Sequence, residues 1–276
     1  MTVSQTVVRA PTRALRPYVT QYVGYRLLGH PPAFHRGLPS RSMTLMFSID
    51  RTIDVVAQTD PRLPPRSYRA VLAGLHDSPA LIRHDGNQEG VSIQLSPVGS
   101  RALLGMPAAA LWDLTLEADE VTGRAAVELS ERLHDSDDWD KRFAVCDQVL
   151  TGLLGEHTLA PELTRVWEAL VQTGGRVAVA ELAEDVGYSR QHLRHRFTRE
   201  FGLGPKRAAR LIRFNQAAGD LMAASSPDFA AVAVSCGYYD QAHMHREFAS
   251  LAGCTPTELV AGDLPNVQDE TVPNHR

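Results

Sequence analysis

The carboxy-terminal third of this sequence carries one pattern of residues twice. Seven positions recur in the same order: Leu182, Ala183, Gly187, Leu193, Phe197, Gly202 and Pro205, then Val232, Ala233, Gly237, Met244, Phe248, Gly253 and Pro256. The two glycines at 187 and 237 are 50 positions apart, whereas the phenylalanines at 197 and 248 are 51 apart, so the second copy has one extra residue just after its glycine. A short apolar-periodic helix, a glycine turn and a second helix capped by Ser or Asp are typical of a helix-turn-helix. The sequence therefore predicts two helix-turn-helix units.

Length and composition place this repeat in a two-domain protein. The chain has 276 residues, of which 43% are hydrophobic and 22% charged, and this is ordinary usage for globular domains with their own cores. Its three cysteines, Cys146, Cys236 and Cys254, lack the spacing of a disulfide framework or a zinc site. No apolar run is long enough for a membrane span, and the first residues lack the apolar core of a secretory signal. We therefore expect a cytoplasmic protein with no membrane contact.

The hydrophobic period changes along the chain, and this change predicts an α+β protein. Up to about residue 95, short β-favouring runs separated by turn residues indicate an antiparallel barrel or sandwich. We predict strands at 19–28, 43–49, 53–58, 68–75, 80–84 and 91–95, and helices at 99–104, 108–114, 125–134 and 139–154. Positions 114–120 are expected to link two of these helices. The predicted domains are 1–160, which is β-rich with a helical end, and 161–262, which is all-α; residues 263–276 are predicted to be a flexible tail.

The first repeat copy predicts a helix with a polar outer face. The preceding helix, 177–185, turns its apolar residues inward; Gly187 permits a left-handed turn, and Ser189 caps the next helix. Leu193 and Phe197 of that helix face the core, one turn apart. Its outer surface then carries side chains that can reach base edges: Arg190, Gln191, Arg194 and His195.

Positive charge is concentrated in the first copy and in the helix after it. From position 190 to 213 there are eight basic residues and one acidic residue, although the whole chain has a net charge of −4. Exposed helices usually mix charges of both signs, so this excess indicates an anionic partner. From position 238 to 259, in contrast, one arginine stands against three acids. The second copy is therefore expected to depend less on charge and more on hydrogen bonds.

Together these motifs resemble the AraC-type (AraC/XylS) transcription regulators over residues 163 to about 259. The resemblance rests on the following residues: Leu-Ala-x-x-x-Gly-Tyr-Ser at 182–189, Gly-x-x-Pro at 202–205, Arg213 and Ala217, Val-Ala-x-x-x-Gly-Tyr at 232–238, Phe248, and Gly-x-x-Pro at 253–256. It implies a DNA-binding domain of two helix-turn-helix units joined by a long linker helix that begins at Pro205. The sequence departs from the family at Met244, where an aromatic residue is common, and at Ala242, where serine is common.

The resemblance also implies a role for individual residues. Side chains of the two recognition helices would contact bases: Gln191, Arg194 and His195 in the first, and Gln241, Ala242, His243 and Arg246 in the second. Basic side chains would contact DNA phosphates: Arg190, Arg199, Lys206, Arg207 and Arg210. Double-stranded DNA is thus the predicted partner, and the resemblance allows for RNA polymerase, a small-molecule effector and a second copy of the chain.

For residues 1–160 the resemblance implies an effector or dimerisation domain. Regulators of this type often carry a cupin-like barrel in front of the DNA-binding domain. The sequence from Val91 through Ser96-Pro97-Val98 to Pro107 resembles a sensor domain found in this position. We therefore expect a β-rich, cupin-like domain with flanking helices, and the resemblance names no ligand for it.

Two other functions stay open for this sequence. The first is a cupin-like metal-dependent enzyme with the helical domain as a tether, although the histidines of the first domain lack the His-x-His and downstream Glu pattern of such metal sites. His192 and His195 likewise have no third or fourth ligand on their face. The second is a ligand sensor whose helical domain does not bind DNA, which the acid-rich second copy favours. We predict no catalytic residue, no metal and no cofactor.

Overall fold

A computed structural model describes residues 2–262 of the protein. Within these residues the chain forms ten strands: β1 (Val3–Arg9), β2 (Val19–Leu28), β3 (Ala33–Gly37), β4 (Met43–Ser48), β5 (Ile53–Ala57), β6 (Arg66–Tyr68), β7 (Ala70–Ala73), β8 (Ala80–His84), β9 (Gln88–Leu95) and β10 (Thr115–Glu117). It also forms eleven α-helices: α1 (Ser100–Leu104), α2 (Asp119–Thr122), α3 (Arg124–His134), α4 (Trp139–Leu153), α5 (Pro161–Gln172), α6 (Val179–Asp185), α7 (Arg190–Phe201), α8 (Pro205–Ala223), α9 (Phe229–Ser235), α10 (Gln241–Ala252) and α11 (Pro256–Val260). The predicted fold class, a β-rich region with flanking helices followed by a helical region, is confirmed. The tail predicted at 263–276 lies outside the described residues.

Two antiparallel sheets build the amino-terminal region. The six-stranded sheet has the order β1-β2-β9-β4-β7-β10, and the four-stranded sheet has the order β3-β8-β5-β6. Side chains between the two sheets form one buried cluster: Tyr25, Met46, Ile53, Val55, Tyr68, Val71, Ala80 and Ile82. Alternate residues of β2 and β4 point the other way, toward α3 and α4, where Tyr22 stacks on Phe143 with 5.8 Å between the ring centroids. Because successive side chains of a strand point to opposite faces, the larger sheet has buried apolar side chains on both of its faces.

The structure corrects several of the strand and helix predictions. It adds β1, β3 and β10, which were not predicted, and it divides the predicted strand 68–75 into β6 and β7 at Arg69. The predicted link at 114–120 contains β10, where Glu117 accepts hydrogen bonds from the backbone N–H groups of Arg69 and Ala70. The predicted helix 108–114 is a short 3₁₀ helix at Ala108–Leu111. Each added strand lies at the edge of its sheet, where Gly37 is the one buried residue among these three strands, so no regular buried alternation marks them.

The carboxy-terminal helices reproduce the sequence repeat. The first unit is α6 and α7, and the second unit is α9 and α10; both contact α8, the 19-residue linker helix. Residues 154–160 lie between α4 and α5 and belong to no helix or strand. None of the helices within residues 2–262 combines the length and the apolar character that a membrane span requires.

The two units belong to different buried clusters. The core of the first unit is continuous with the core between the larger sheet and its helices, through Trp167 of α5 and Leu163. The second unit packs around Phe214 and Phe248 as a separate cluster, and this cluster includes Leu38 from the amino-terminal region, which is 1% exposed. Each unit is therefore attached to the first domain by apolar packing, but through different elements.

Candidate DNA-binding interface

The first unit has the geometry that its sequence predicts. Gly187 adopts a left-handed φ of 67°, and the Ser189 side chain accepts a hydrogen bond from the backbone N–H of His192 at 3.2 Å. Leu193 and Phe197 are fully buried. The exposed face of α7 consequently carries every residue predicted to contact DNA on this helix: Arg190, Gln191, Arg194, His195 and Arg199.

The second unit repeats this frame with different side chains. Gly237 has a φ of 78°, and Asp240 caps α10 by accepting from the backbone N–H of His243 at 2.6 Å. Met244 and Phe248 occupy the buried positions of Leu193 and Phe197. Met244 thus fills the core position where the resembling family often has an aromatic residue.

The extra residue of the second copy is Tyr239. It lies in the turn between Gly237 and the cap Asp240, and it is 89% exposed. Because the extra residue lies within the turn, Tyr188 and Tyr238, which follow the two glycines, occupy equivalent positions. Tyr188 contacts His192 edge to face with ring centroids 4.6 Å apart, and Tyr238 contacts His243 in the same manner at 5.4 Å.

This equivalence locates the residues predicted to contact bases on α10. Gln241, Ala242 and Arg246 are exposed, as on α7. His243 instead corresponds to His192: it is half-buried, its ring lies against Tyr238, and its Nδ1 accepts the backbone N–H of Tyr239 at 3.3 Å. The position that corresponds to Arg194 is His245, whose Nε2 lies 3.4 Å from the Gln241 amide nitrogen. His245, which the sequence also offers as a group able to reach base edges, lies 51 positions after Arg194, whereas Tyr239 was not predicted as a contact residue.

The five predicted phosphate-contacting residues fall into two groups. Arg190, Arg199 and Lys206 are exposed, and within residues 2–262 none of them forms an ion pair. Arg207 donates from Nε to Asp77 of the amino-terminal region at 2.7 Å, and its guanidinium lies 5.1 Å from the centre of the Trp112 ring. Arg210 donates from Nε to Glu247 of α10 at 2.8 Å.

The amino-terminal region also contacts the end of α7. Glu200, the one acid of the basic segment, is buried and accepts three hydrogen bonds of 2.8–3.0 Å from Arg101 of α1. Gly202, which ends α7 with a φ of 82°, lies so close to Trp112 that a β-carbon there would be 2.7 Å from the Trp112 side chain. Glycine is required here by both the left-handed backbone and the approach of this ring. Asp77, Arg101 and Trp112 were not predicted as partners of the basic segment, because no local pattern links them to it.

The described residues show no cluster of metal ligands, and their thiols are buried. Within residues 2–262 there is no group of three or more His, Cys, Asp or Glu side chains that could hold a metal ion. All three cysteines are buried and free. Burial, the Asp220 carboxylate and its hydrogen bond raise the pKa of the Cys236 thiol to about 12, so this thiol is protonated at neutral pH.

Comparisons with known proteins match two parts of the chain to two different families. Residues 182–261 match a helix-turn-helix domain family, and residues 8–117 match a domain of unknown function (DUF6597). No curated protein matches the sequence.

Among solved structures, the chain is similar over most of its length to ToxT from Vibrio cholerae. A ToxT variant in its apo form is 13% identical, with 92% of this chain and 99% of ToxT covered and a TM-score of 0.53. ToxT bound to (E)-4-(8-methylnaphthalen-1-yl)but-3-enoic acid is 14% identical, with 94% and 98% covered and a TM-score of 0.50. A transcriptional regulator with an AraC-type DNA-binding domain from Chromobacterium violaceum is 24% identical over 37% of this chain and 90% of its own, with a TM-score of 0.34. At these identities the likeness to ToxT shows a shared two-domain fold.

Proposed function

Residues 182–261 form an AraC-type helix-turn-helix domain, and from this premise we propose that the protein is a sequence-specific transcription regulator that contacts DNA through α7 and α10. The observation that carries the proposal is the pair of equivalent units on one linker helix, each with its apolar residues buried and its polar residues exposed. Two such helices can enter successive major grooves of one duplex.

We assign base contacts to the exposed faces of the two recognition helices. On α7 these are Gln191, Arg194 and His195; on α10 they are Gln241, Ala242 and Arg246, with His245 at the position of Arg194. An arginine can donate two hydrogen bonds to one guanine, and glutamine can pair with adenine in the same way. His243 was predicted to contact a base, but its contacts with Tyr238 and the Tyr239 backbone favour a role in holding the start of α10.

We assign the phosphate contacts first to Arg190, Arg199 and Lys206. Their exposure and their lack of a carboxylate partner within residues 2–262 leave them able to approach a DNA backbone. Arg207 and Arg210 are bound to Asp77 and Glu247, so each would have to leave a carboxylate before it could bind a phosphate. In the arrangement described here, these two side chains hold the domains and units together.

The amino-terminal region would supply effector response. It contains a cavity of about 690 Å³ between its two sheets, within the size range of small-molecule sites. ToxT, which shares the fold, has been crystallised with a butenoic acid that carries a methylnaphthalene group. We propose that a small molecule binds in the amino-terminal region of this chain and that a second copy of the chain and RNA polymerase are further partners. We propose no chemical reaction for the protein, and we infer that it acts in the cytoplasm.

The test is selection of bound sequences from a random DNA pool with the intact chain, followed by footprinting on the selected duplex. We expect one sequence motif, with protection of two major grooves about one helical turn apart. The affinity should fall with salt with a logarithmic slope near −0.9 for each phosphate contact, so three contacts give a slope of about −2.7. No selected motif, together with an affinity indifferent to salt, would instead favour a sensor whose helical domain does not bind DNA.

A further inference from the structure

The cavity between the two sheets has an apolar wall, and its lining also includes two histidines. Its apolar wall comes from both sheets, with Tyr25 and Met46 on one side and Ile53 and Ile82 on the other. His35 of β3 and His84 of β8 face each other inside it, with ring centroids 6.0 Å apart. They are diagonal neighbours across the pair of strands, because Ala33 is paired with His84 and His35 with Ile82.

His84, at the wall of this cavity, carries a buried hydrogen-bond donor. Its side chain is buried, with 5% of the residue exposed, and its Nδ1 accepts the backbone N–H of Gly86 at 3.2 Å. A neutral imidazole that accepts at one ring nitrogen carries its proton on the other, so Nε2 is the donor. Within residues 2–262 this Nε2 has no hydrogen-bond partner. A buried donor without an acceptor costs free energy, and a ligand with an acceptor atom at this point would remove that cost.

The charges around the cavity cancel in pairs. Arg51 is ion-paired with Asp85, and Arg83 with Asp54, all four of them at the wall of the cavity. Burial lowers the pKa of both histidines, and with the neighbouring His84 it lowers the pKa of His35 to about 4, so both rings are neutral at neutral pH. A carboxylate or phosphate entering this site would therefore lose its hydration without meeting an unpaired cation.

We propose that the cavity binds an uncharged, mainly apolar molecule with a hydrogen-bond-accepting oxygen, and that Nε2 of His84 donates to this oxygen. The volume of about 690 Å³ admits a molecule of two or three fused rings. Phe34, which is 60% exposed on β3, lies at the wall of the cavity and would cover the apolar part of the ligand. This inference rests on the proposed function, because it defines the chemical class of the effector.

The experiment compares three probes of the same shape on the full chain by isothermal titration calorimetry. The probes are 2-acetylnaphthalene, 2-ethylnaphthalene and 2-naphthoate, which differ in carrying a ketone, no acceptor and a negative charge. We expect the ketone to bind about tenfold more tightly than the hydrocarbon, as one additional buried hydrogen bond allows, and more tightly than the carboxylate. Tighter binding of the carboxylate, or no binding of any probe, would overturn the proposal.

Substitution of His84 tests the assigned donor. In His84→Phe the ketone and the hydrocarbon should bind with nearly equal affinity, whereas the control His157→Phe, at an exposed histidine between α4 and α5, should keep the tenfold preference. A preference for the ketone that survives in His84→Phe contradicts the assignment.

If this variant does not fold, ¹⁵N NMR of histidine-labelled wild-type protein gives the same answer. The Nε2 resonance of one ring should shift with the ketone and stay in place with the hydrocarbon, and equal shifts with both would reject the hydrogen bond.

The outcome is separable from the proposed function. DNA selection with the same protein samples measures the helix-turn-helix domain alone. If a DNA motif is selected but no probe binds, the ligand class is wrong and the regulator stands. If the ketone binds through His84 but no DNA motif is selected, the site stands and the regulatory function fails.

Discussion

The two helix-turn-helix units share one backbone frame but present different surfaces. In both, a glycine with positive φ, a capping side chain and two buried apolar residues fix the second helix against the linker. The surface of α7 carries four arginines, and its one acid, Glu200, is turned inward to Arg101. The surface of α10 carries one arginine, and its acid, Glu247, is bound to Arg210 of the linker. The first unit is therefore suited to bind the DNA backbone, and the second to add specificity by hydrogen bonding.

The units also differ in how the first domain holds them. The first unit shares a continuous core with the first domain and is tied to it by Arg101, Trp112 and Asp77. The second unit has a core of its own, which a single leucine of the first domain completes. The repeated residues thus determine the fold of each unit. The charge of its surface and its contacts with the first domain depend on residues that the two copies do not share.

The largest effect is expected where the first domain enters the core of the second unit. Leu38→Ala should lower the free energy of unfolding by about 2–5 kcal/mol, as truncation of a fully buried leucine does. Leu28→Ala, at a leucine that is 37% exposed on β2, is the matched control and should change it by no more than about 0.5 kcal/mol. Denaturant unfolding of the full chain measures both, and hydrogen exchange should show the loss of protection in α10. Equal costs at the two leucines would mean that the second unit is independent of the first domain.

An intermediate effect is expected for base contact by the first unit. Arg194→Ala should weaken binding to the preferred DNA site by about 1–3 kcal/mol and relax the preference at one or two base pairs. Arg199→Ala, which removes an exposed arginine one turn further along α7, should weaken all sequences by a similar factor. Affinities measured on the selected site and on single-base variants of it separate the two behaviours. A uniform loss in both variants would remove Arg194 from the residues that determine specificity.

The frame of each unit was predictable from the sequence because it depends on local interactions. The caps Ser189 and Asp240 and the turns at Gly187 and Gly237 act within a few residues, so the spacing of the repeat predicts them, including the place of the extra residue. The same holds for strands that are paired on both sides, such as β2 and β8, whose bounds were predicted to the residue. The edge strands β1, β3 and β10 were not predicted because they contain almost no buried residues and so lack the buried alternation on which such predictions depend.

The partners of the basic residues were not predictable from the sequence. Asp77 and Arg207 are 130 positions apart, and Arg101 and Glu200 are 99 apart, so their pairing depends on how the two domains meet. Leu38 likewise lies outside every strand and helix predicted from the sequence, and its burial against Phe214 and Phe248 depends on how the two domains meet. A count of positive charges therefore overstates how many of them face a DNA partner.

The smallest effect is expected where a carboxylate of the first domain holds an arginine of the linker helix in an ion pair. Asp77→Ala releases Arg207, which is half-exposed, so DNA binding should strengthen by less than about fivefold, the range of an exposed pair. The salt slope should steepen by up to about 0.9, as one added phosphate contact requires. In Asp77→Ala combined with Arg207→Ala both gains should vanish, which separates a released arginine from the mere loss of a negative charge.

The matched change in the second unit is Glu247→Gln. Arg210 is less exposed than Arg207 and lies between α8 and α10, so this substitution should leave the salt slope unchanged. Titrations of the four proteins at several salt concentrations measure the slopes. A steeper salt slope for Glu247→Gln than for Asp77→Ala would mean that Arg210, rather than Arg207, becomes available to bind a phosphate when its ion pair is lost. No change in either variant would restrict phosphate binding to the arginines and the lysine that are already exposed.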